Sequence, residues 1–156
     1  MAAKKPVVIA FLVAFAVAGI GGAATDIGPW YFNLVKPAWQ PPDWAFGPIW
    51  TLIYITTGIA GVRAWRLGDG PQRSYFLLAL LINCVLNVLW SVLFFKMQRP
   101  DVALIEVVVF WLSILPLILL PLRYSPRSSL LMLPYLAWVS VAAYLNLTIV
   151  RLNPIL

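Results

Sequence analysis

Residues Trp30 to Trp50 read WYFNLVKPAWQPPDWAFGPIW. Four of them are tryptophan (Trp30, Trp39, Trp44, Trp50) and four are proline (Pro37, Pro41, Pro42, Pro48). The stretch lies between two long apolar runs. Proline fixes φ and removes a backbone donor, so the segment reads as a stiff connection, non-helical at first. Tryptophan has a wide apolar face and one N–H, and it concentrates at membrane–water interfaces. The pattern predicts a rigid aromatic lid at a membrane surface, one wall of a site for a flat, greasy ligand.

The composition agrees with a membrane setting. Of 156 residues, 63% are hydrophobic and 10% charged, against roughly 25% charged in soluble domains. Mean hydropathy is +0.93. At about 20 residues per span the length allows about five spans and leaves no room for a soluble domain. The net charge is +6, but the basic residues sit at span ends. That is the signature of membrane orientation and excludes a nucleic-acid binder. The chain has no histidine and one cysteine, Cys84. An intrachain disulfide, a His/Cys metal cluster and a His-ligated haem are therefore excluded.

These features predict an all-α membrane protein, a single domain over 1–156. Five transmembrane helices are expected at about 6–24, 43–64, 74–95, 102–122 and 126–150, with the Trp/Pro-rich lid at 27–42 between helices 1 and 2. Lys4 and Lys5 precede the first run, as in a leader peptide, but the run is long enough to span. Ala10, Ala14, Ala18 and Gly22 make a ridge of small residues along it. Asp43 is expected to cap the second helix, and Ser125-Pro126 to open the fifth. Pro116 and Pro121 are expected to bend the end of the fourth, and Pro134 to remove one bond from the fifth. Lys4, Lys5, Arg63, Arg66, Arg73, Arg123 and Arg127 fall on one side; Lys36, Lys96, Arg99 and Arg151 fall on the other. This bias puts the N-terminus in the cytoplasm and the lid on the far side.

Polar residues within the spans face inward, because lipid offers them no partner. Asn83, Asn87 and Trp90 share one face of the third span. They serve either interhelical hydrogen bonding or ligand contact. Glu106 lies near the start of the fourth span, where it is expected to cap a helix or pair with Lys96 or Arg99, or else to couple protons in transport. Trp50 with Tyr54, and Trp138 with Ala142 and Asn146, form stripes at four-residue spacing. Such stripes serve packing or a ligand site. Ala142 beside Trp138 leaves room for a ring, and Asn87 and Asn146 offer hydrogen bonds.

At these residues the chain closely resembles the translocator protein family, also called tryptophan-rich sensory proteins, in its bacterial form. The lid matches at Trp30-Tyr31, Lys36-Pro37-Ala38-Trp39-Gln40-Pro41-Pro42, Trp44 and Pro48-Ile49-Trp50-Thr51. The third span matches at Asn83, Asn87 and Trp90. The fifth matches at Pro134-Tyr135-Leu136-Ala137-Trp138, Ala142, Leu145-Asn146 and Arg151-Leu152-Asn153. The resemblance covers nearly the whole chain. It implies five transmembrane helices and a first-loop lid over a pocket. Members bind porphyrins such as protoporphyrin IX and synthetic isoquinoline or benzodiazepine-type ligands, and animal members bind cholesterol. Some bacterial members are linked to light-dependent porphyrin breakdown and tetrapyrrole-linked regulation. Pocket roles are implied for Tyr31, Trp39, Trp50, Asn87, Trp138, Ala142 and Asn146, with Tyr31 and Trp138 as redox-active aromatics. Tyr54 replaces the Phe of some members. The animal cholesterol motif is not matched, because Tyr144 stands seven residues before Arg151 and Leu147 occupies the region of the animal Tyr.

The expected function is a multi-pass receptor or sensor in a bacterial membrane, binding protoporphyrin-type ligands among Tyr31, Trp39, Trp50, Tyr54, Asn87, Trp90, Trp138, Ala142 and Asn146. It requires no cofactor or metal. Its partners are the ligand and membrane lipid, and some family members dimerise through span three, where Ala79 here lacks a matching small neighbour. Two alternatives remain: a light-dependent porphyrin-degrading enzyme using Trp138 and Tyr31, and a small-molecule transporter. Ordinary catalysis is excluded, since there is no nucleophile–base pair, metal set or nucleotide loop.

Overall fold

The computed structural model describes residues 5–154. Among them are six helices and no strand: α1 (Lys5–Ala24), α2 (Pro29–Asn33), α3 (Asp43–Leu67), α4 (Gly70–Ser91), α5 (Pro100–Leu119) and α6 (Pro126–Leu152). A π turn, Val92–Lys96, extends α4, and a 3₁₀ turn, Leu120–Arg123, extends α5. Among the described residues, four helices are long and apolar enough to cross a membrane: α3, α4 with its π turn, α5 with its 3₁₀ turn, and α6. The 20-residue α1 packs beside α3 and α4. Around the bundle, α3 packs on α6, α6 on α5, and α5 on α4, which closes a ring through α1. The side chains of Ala10, Ala14 and Ala18 in the small-residue ridge lie outside the described residues. Gly22, at its end, has nothing within 4 Å of a Cβ position.

The main core is built where four helices turn an apolar face inward. Ile53, Ala60 and Ala64 of α3 meet Phe76 of α4, Val107, Phe110, Ile114 and Leu117 of α5, and Met132, Tyr135 and Val139 of α6. A smaller cluster closes the lid end: Tyr31, Leu34, Phe94, Ala103, Leu145 and Ile149. Large apolar side chains also face outward, among them Leu52, Leu81, Ile105, Val108 and Leu130. A helix apolar on both faces has its second face against lipid.

Several local expectations are corrected. The lid is not wholly irregular: Pro29 opens the short helix α2, because its missing N–H costs nothing in a first turn. Asp43 makes no cap; Pro42 precedes α3 without a side-chain bond, and the Asp43 carboxylate turns to the lid instead. Ser125 likewise does not bond an amide of α6; its hydroxyl meets that of Ser128 at 2.7 Å. The helix of the third expected span, α4, starts at Gly70 rather than near residue 74. Asp69 accepts from the Gln72 amide and Gln72 accepts from the Asp69 amide, a capping box that starts α4 at once. Only Gly68 and Asp69 separate α3 from α4. A Cβ on Gly68 would meet the Ala64 carbonyl at 3.0 Å and the Tyr124 ring at 3.3 Å. Between the π turn and α5 the chain reverses at Gln98, whose φ is 54°. Pro48, Pro116 and Pro134 all lie inside helices that continue through them.

Candidate ligand pocket

The lid covers a small cavity of about 30 Å³. Its walls come from the lid and the start of α3 (Tyr31, Gln40, Phe46), from α4 and its π turn (Trp90, Phe94, Phe95), and from α6 (Ala142, Leu145, Asn146, Ile149). Consecutive Phe94 and Phe95 both line it, within the π turn. That geometry holds one residue more per turn than regular helix and recurs at functional sites. The rings interlock: Trp90 stacks on Phe94 at 5.1 Å, Trp90 meets Phe95 edge-on at 5.9 Å, and Tyr31 lies 5.7 Å from Phe95.

The polar groups at the rim are specific. The Tyr31 hydroxyl donates to Asp43 Oδ1 at 2.8 Å and accepts from Gln40 Nε2 at 3.2 Å. Lys36 Nζ lies 3.6 Å from the centre of the Tyr31 ring, a cation–π contact. Burial first, then the Asp43 hydrogen bond and charge, push the Tyr31 hydroxyl well above its ordinary range; the Gln40 bond pulls the other way. On the opposite wall, Trp90 Nε1 donates to Asn146 Oδ1 at 3.2 Å, and Asn146 Nδ2 donates to the Pro100 carbonyl at 2.8 Å. Two buried polar atoms have no partner near here: Trp138 Nε1 and Gln40 Oε1. Buried polar atoms are normally paired, and these two are not.

Of the residues singled out from sequence, Tyr31, Trp90, Ala142 and Asn146 line the cavity. Trp138 stands behind it, edge-on to Phe46 at 5.5 Å. Trp50, Tyr54 and Asn87 lie in an adjoining network. Trp50 stacks on Tyr54 at 5.6 Å. The Tyr54 hydroxyl donates to Asn87 Oδ1 at 3.4 Å, and Asn87 Nδ2 donates to the Tyr135 hydroxyl at 3.3 Å. Tyr135 donates on to Asn83 Oδ1 at 2.9 Å, and Asn83 Nδ2 to Ser113 Oγ at 2.8 Å. This chain of polar groups ties α3, α4, α5 and α6 together at mid-bundle. Trp39 is outside the cavity, stacked on Tyr144 at 5.2 Å.

Glu106 departs from its expected pairing. It is buried, and neither carboxylate oxygen has a hydrogen-bond partner. Arg99 pairs instead with Asp101, through Nε at 2.8 Å and Nη2 at 2.6 Å. Asp101 sits at the exposed start of α5 and can hold Arg99 without desolvation; Glu106 lies too deep for Arg99 to follow. Gln40, Phe46, Phe94, Phe95, Leu145 and Ile149 line the cavity without having been expected there. Leu145 and Ile149 fall on the stripe of Ala142 and Asn146, so helical spacing held that signal. Among the described residues, no three His, Cys, Asp or Glu side chains come together to hold a metal.

A lid with this tryptophan pattern, over an aromatic cavity in a ring of helices, invites comparison with known proteins. The TspO/MBR family model matches residues 8–152. The chain belongs to the TspO/MBR family. A "Tryptophan-rich protein TspO" of Chlorobaculum tepidum is 41% identical over 86% of this chain and 89% of its own length. The protein CrtK of Rhodobacter capsulatus is 35% identical over 92% and 91%. The pig protein named "Translocator protein" is 33% identical over 80% and 75%. Membership of the TspO/MBR family, with the apolar helices, makes this an integral membrane protein of the sensory and translocator group.

Proposed function

We propose that this TspO/MBR protein is a membrane receptor or sensor for flat tetrapyrroles of the protoporphyrin type, bound under the lid. The observation that carries the reading is the aromatic cavity between the lid, the π turn and α6. Its walls are mostly rings and aliphatic groups, with a few placed polar atoms, the make-up of sites for hydrophobic ligands. At about 30 Å³ it is far below the roughly 300–1,000 Å³ of drug-sized sites. A macrocycle therefore binds only as the lid lifts and the rings re-pack. Lys36, poised on Tyr31 at the rim, is the cation to meet a propionate. By the positive-inside bias the N-terminus is cytoplasmic and the lid faces the opposite side of a bacterial membrane.

The test is titration of the purified protein with protoporphyrin IX in the dark, followed by tryptophan fluorescence, with Trp50→Phe and Trp138→Phe alongside. Saturable quenching that these changes weaken supports the pocket. Absence of saturable quenching defeats the reading.

One observation favours a second activity, light-dependent porphyrin degradation. Tyr31 lines the cavity and its hydroxyl already faces a proton acceptor, Asp43, at 2.8 Å. Loss of an electron from Tyr31 to a photoexcited macrocycle would leave the macrocycle reduced by one electron and send the phenol proton to Asp43. Tyr31→Phe should then retain dark binding and lose light-dependent product; undiminished product would remove this activity.

A further inference from the structure

The lid is fastened unequally along its length. Up to Leu34 the fastening is buried, in one cluster with Phe94, Ala103 and, on α6, Leu145 and Ile149. Tyr31 and Leu34 are buried, Trp30 packs edge-on to Phe94 at 6.0 Å, and Tyr31 holds Asp43. Beyond Leu34 the fastening to α6 is superficial: among the described contacts it is the grip of Asn153 and the stack of Tyr144. Asn153 grips the backbone of Val35 twice: its Oδ1 accepts the Val35 N–H at 2.9 Å, and its Nδ2 donates to the Val35 carbonyl at 3.0 Å. Trp39 stacks on Tyr144, and both are exposed, at 45% and 59%. Asn153 Nδ2 also donates to the Ile149 carbonyl at 2.7 Å, so its side chain stays fixed to the end of α6 whether or not the lid is present.

We propose that Asn153 and Tyr144 form a releasable latch that sets how fast a ligand reaches the cavity. Exposed amide bonds exchange readily for bonds to water, so the stretch beyond Leu34 opens at little net cost while the buried stretch before it acts as the hinge. The position of the cavity fits that motion. The latch and the wall of Ala142, Leu145, Asn146 and Ile149 are on the same helix, and Gln40 of the latched stretch is itself a lining residue. Swinging residues 35–40 off α6 releases the Lys36 and Gln40 contacts to Tyr31, opens that wall and leaves the Tyr31 ring packed against Phe95. Trp39 then acts at the portal rather than as a wall.

The inference rests on the tetrapyrrole reading only for its ligand kinetics, so its first readout needs no ligand. Protein carrying Cys84→Ser and Ala142→Cys is placed in lipid nanodiscs and labelled with a maleimide, with and without Asn153→Ala or Tyr144→Ala. Each latch change should speed labelling roughly tenfold. Labelling unchanged by both overturns the latch. Stopped-flow quenching by protoporphyrin IX, in the chain without the labelling changes, should then show association and dissociation both faster and Kd nearly constant. Faster dissociation alone, with weaker binding, also overturns it, by making the two residues ligand contacts. Faster labelling without any saturable quenching keeps the latch and removes the tetrapyrrole reading.

Discussion

The hydroxyl of Tyr31 donates to the carboxylate of Asp43, twelve residues on, and so binds the lid helix to the first turn of α3. Removing the hydroxyl in Tyr31→Phe leaves Asp43 with only the 3.3 Å bond from Gln40. Hydrogen bonds to charged groups contribute about 1.5–3 kcal/mol. Exposure of Asp43 reduces this, so a loss of about 1 kcal/mol is expected from detergent-solubilised unfolding curves. The pH dependence has a fixed sign. The folded-state hydroxyl titrates above its unfolded value, so its contribution is whole below about pH 10 and falls as pH rises beyond that. In ultraviolet titration, Tyr31→Phe should therefore remove no tyrosinate signal near pH 10.

Tyr135 is the middle link of the polar chain, accepting from Asn87 and donating to Asn83. Tyr135→Phe strands both amides in a buried setting. Each stranded group costs about 1–3 kcal/mol, so a loss of about 3 kcal/mol is expected in reversible SDS unfolding. Ser113→Ala, at the end of the chain, should cost less, because Ser113 is only partly buried.

Glu106 stands among apolar neighbours on the core face of α5, between Ala103 and Phe110, with no partner for either oxygen. A buried polar group without a bond is a net cost, and an apolar residue of similar size removes it. Glu106→Leu should raise stability by about 1–3 kcal/mol, read as a higher thermal midpoint in detergent. If Glu106 serves coupled transport, the same change should abolish proton-driven uptake in proteoliposomes. Raised stability with unchanged uptake separates the two roles.

Asn146 links three helices, accepting from Trp90 on α4 and donating to the Pro100 carbonyl at the start of α5. Asn146→Leu leaves both groups unpaired and should cost about 2 kcal/mol. Trp90→Phe removes only one donor and keeps the ring contact with Phe94, so it should cost about 1 kcal/mol.

The helical membrane fold was legible because its cause is composition read at a period: apolar runs as long as a bilayer is thick, ended by charges and prolines. The lid was legible for the same reason, as a run of prolines that regular helix cannot hold. Less visible were features decided by three-dimensional competition. Asp43 had the chemistry of a cap, but Tyr31 reached it first. Arg99 had two carboxylates in range by sequence and took the exposed one. The Asp69/Gln72 capping box was present in the letters and marks the start of α4 at Gly70, four residues before the expected start of the span. Phe94 and Phe95 carried no sign of their shared direction, since regular helix would point neighbours about 100° apart.

The π turn at Val92–Lys96 makes the site sensitive to chain length. Such a turn is equivalent to one residue inserted into a regular helix. Deleting a single residue between Asn87 and Gln98 would let the helix relax to its ordinary pitch, with every hydrogen bond still satisfied. Trp90 and one of the two phenylalanines would then rotate apart, and the wall facing Tyr31 would be lost although no lining residue had changed chemically. An alignment gap in this segment is therefore a more informative mark of altered ligand preference than any substitution scored column by column.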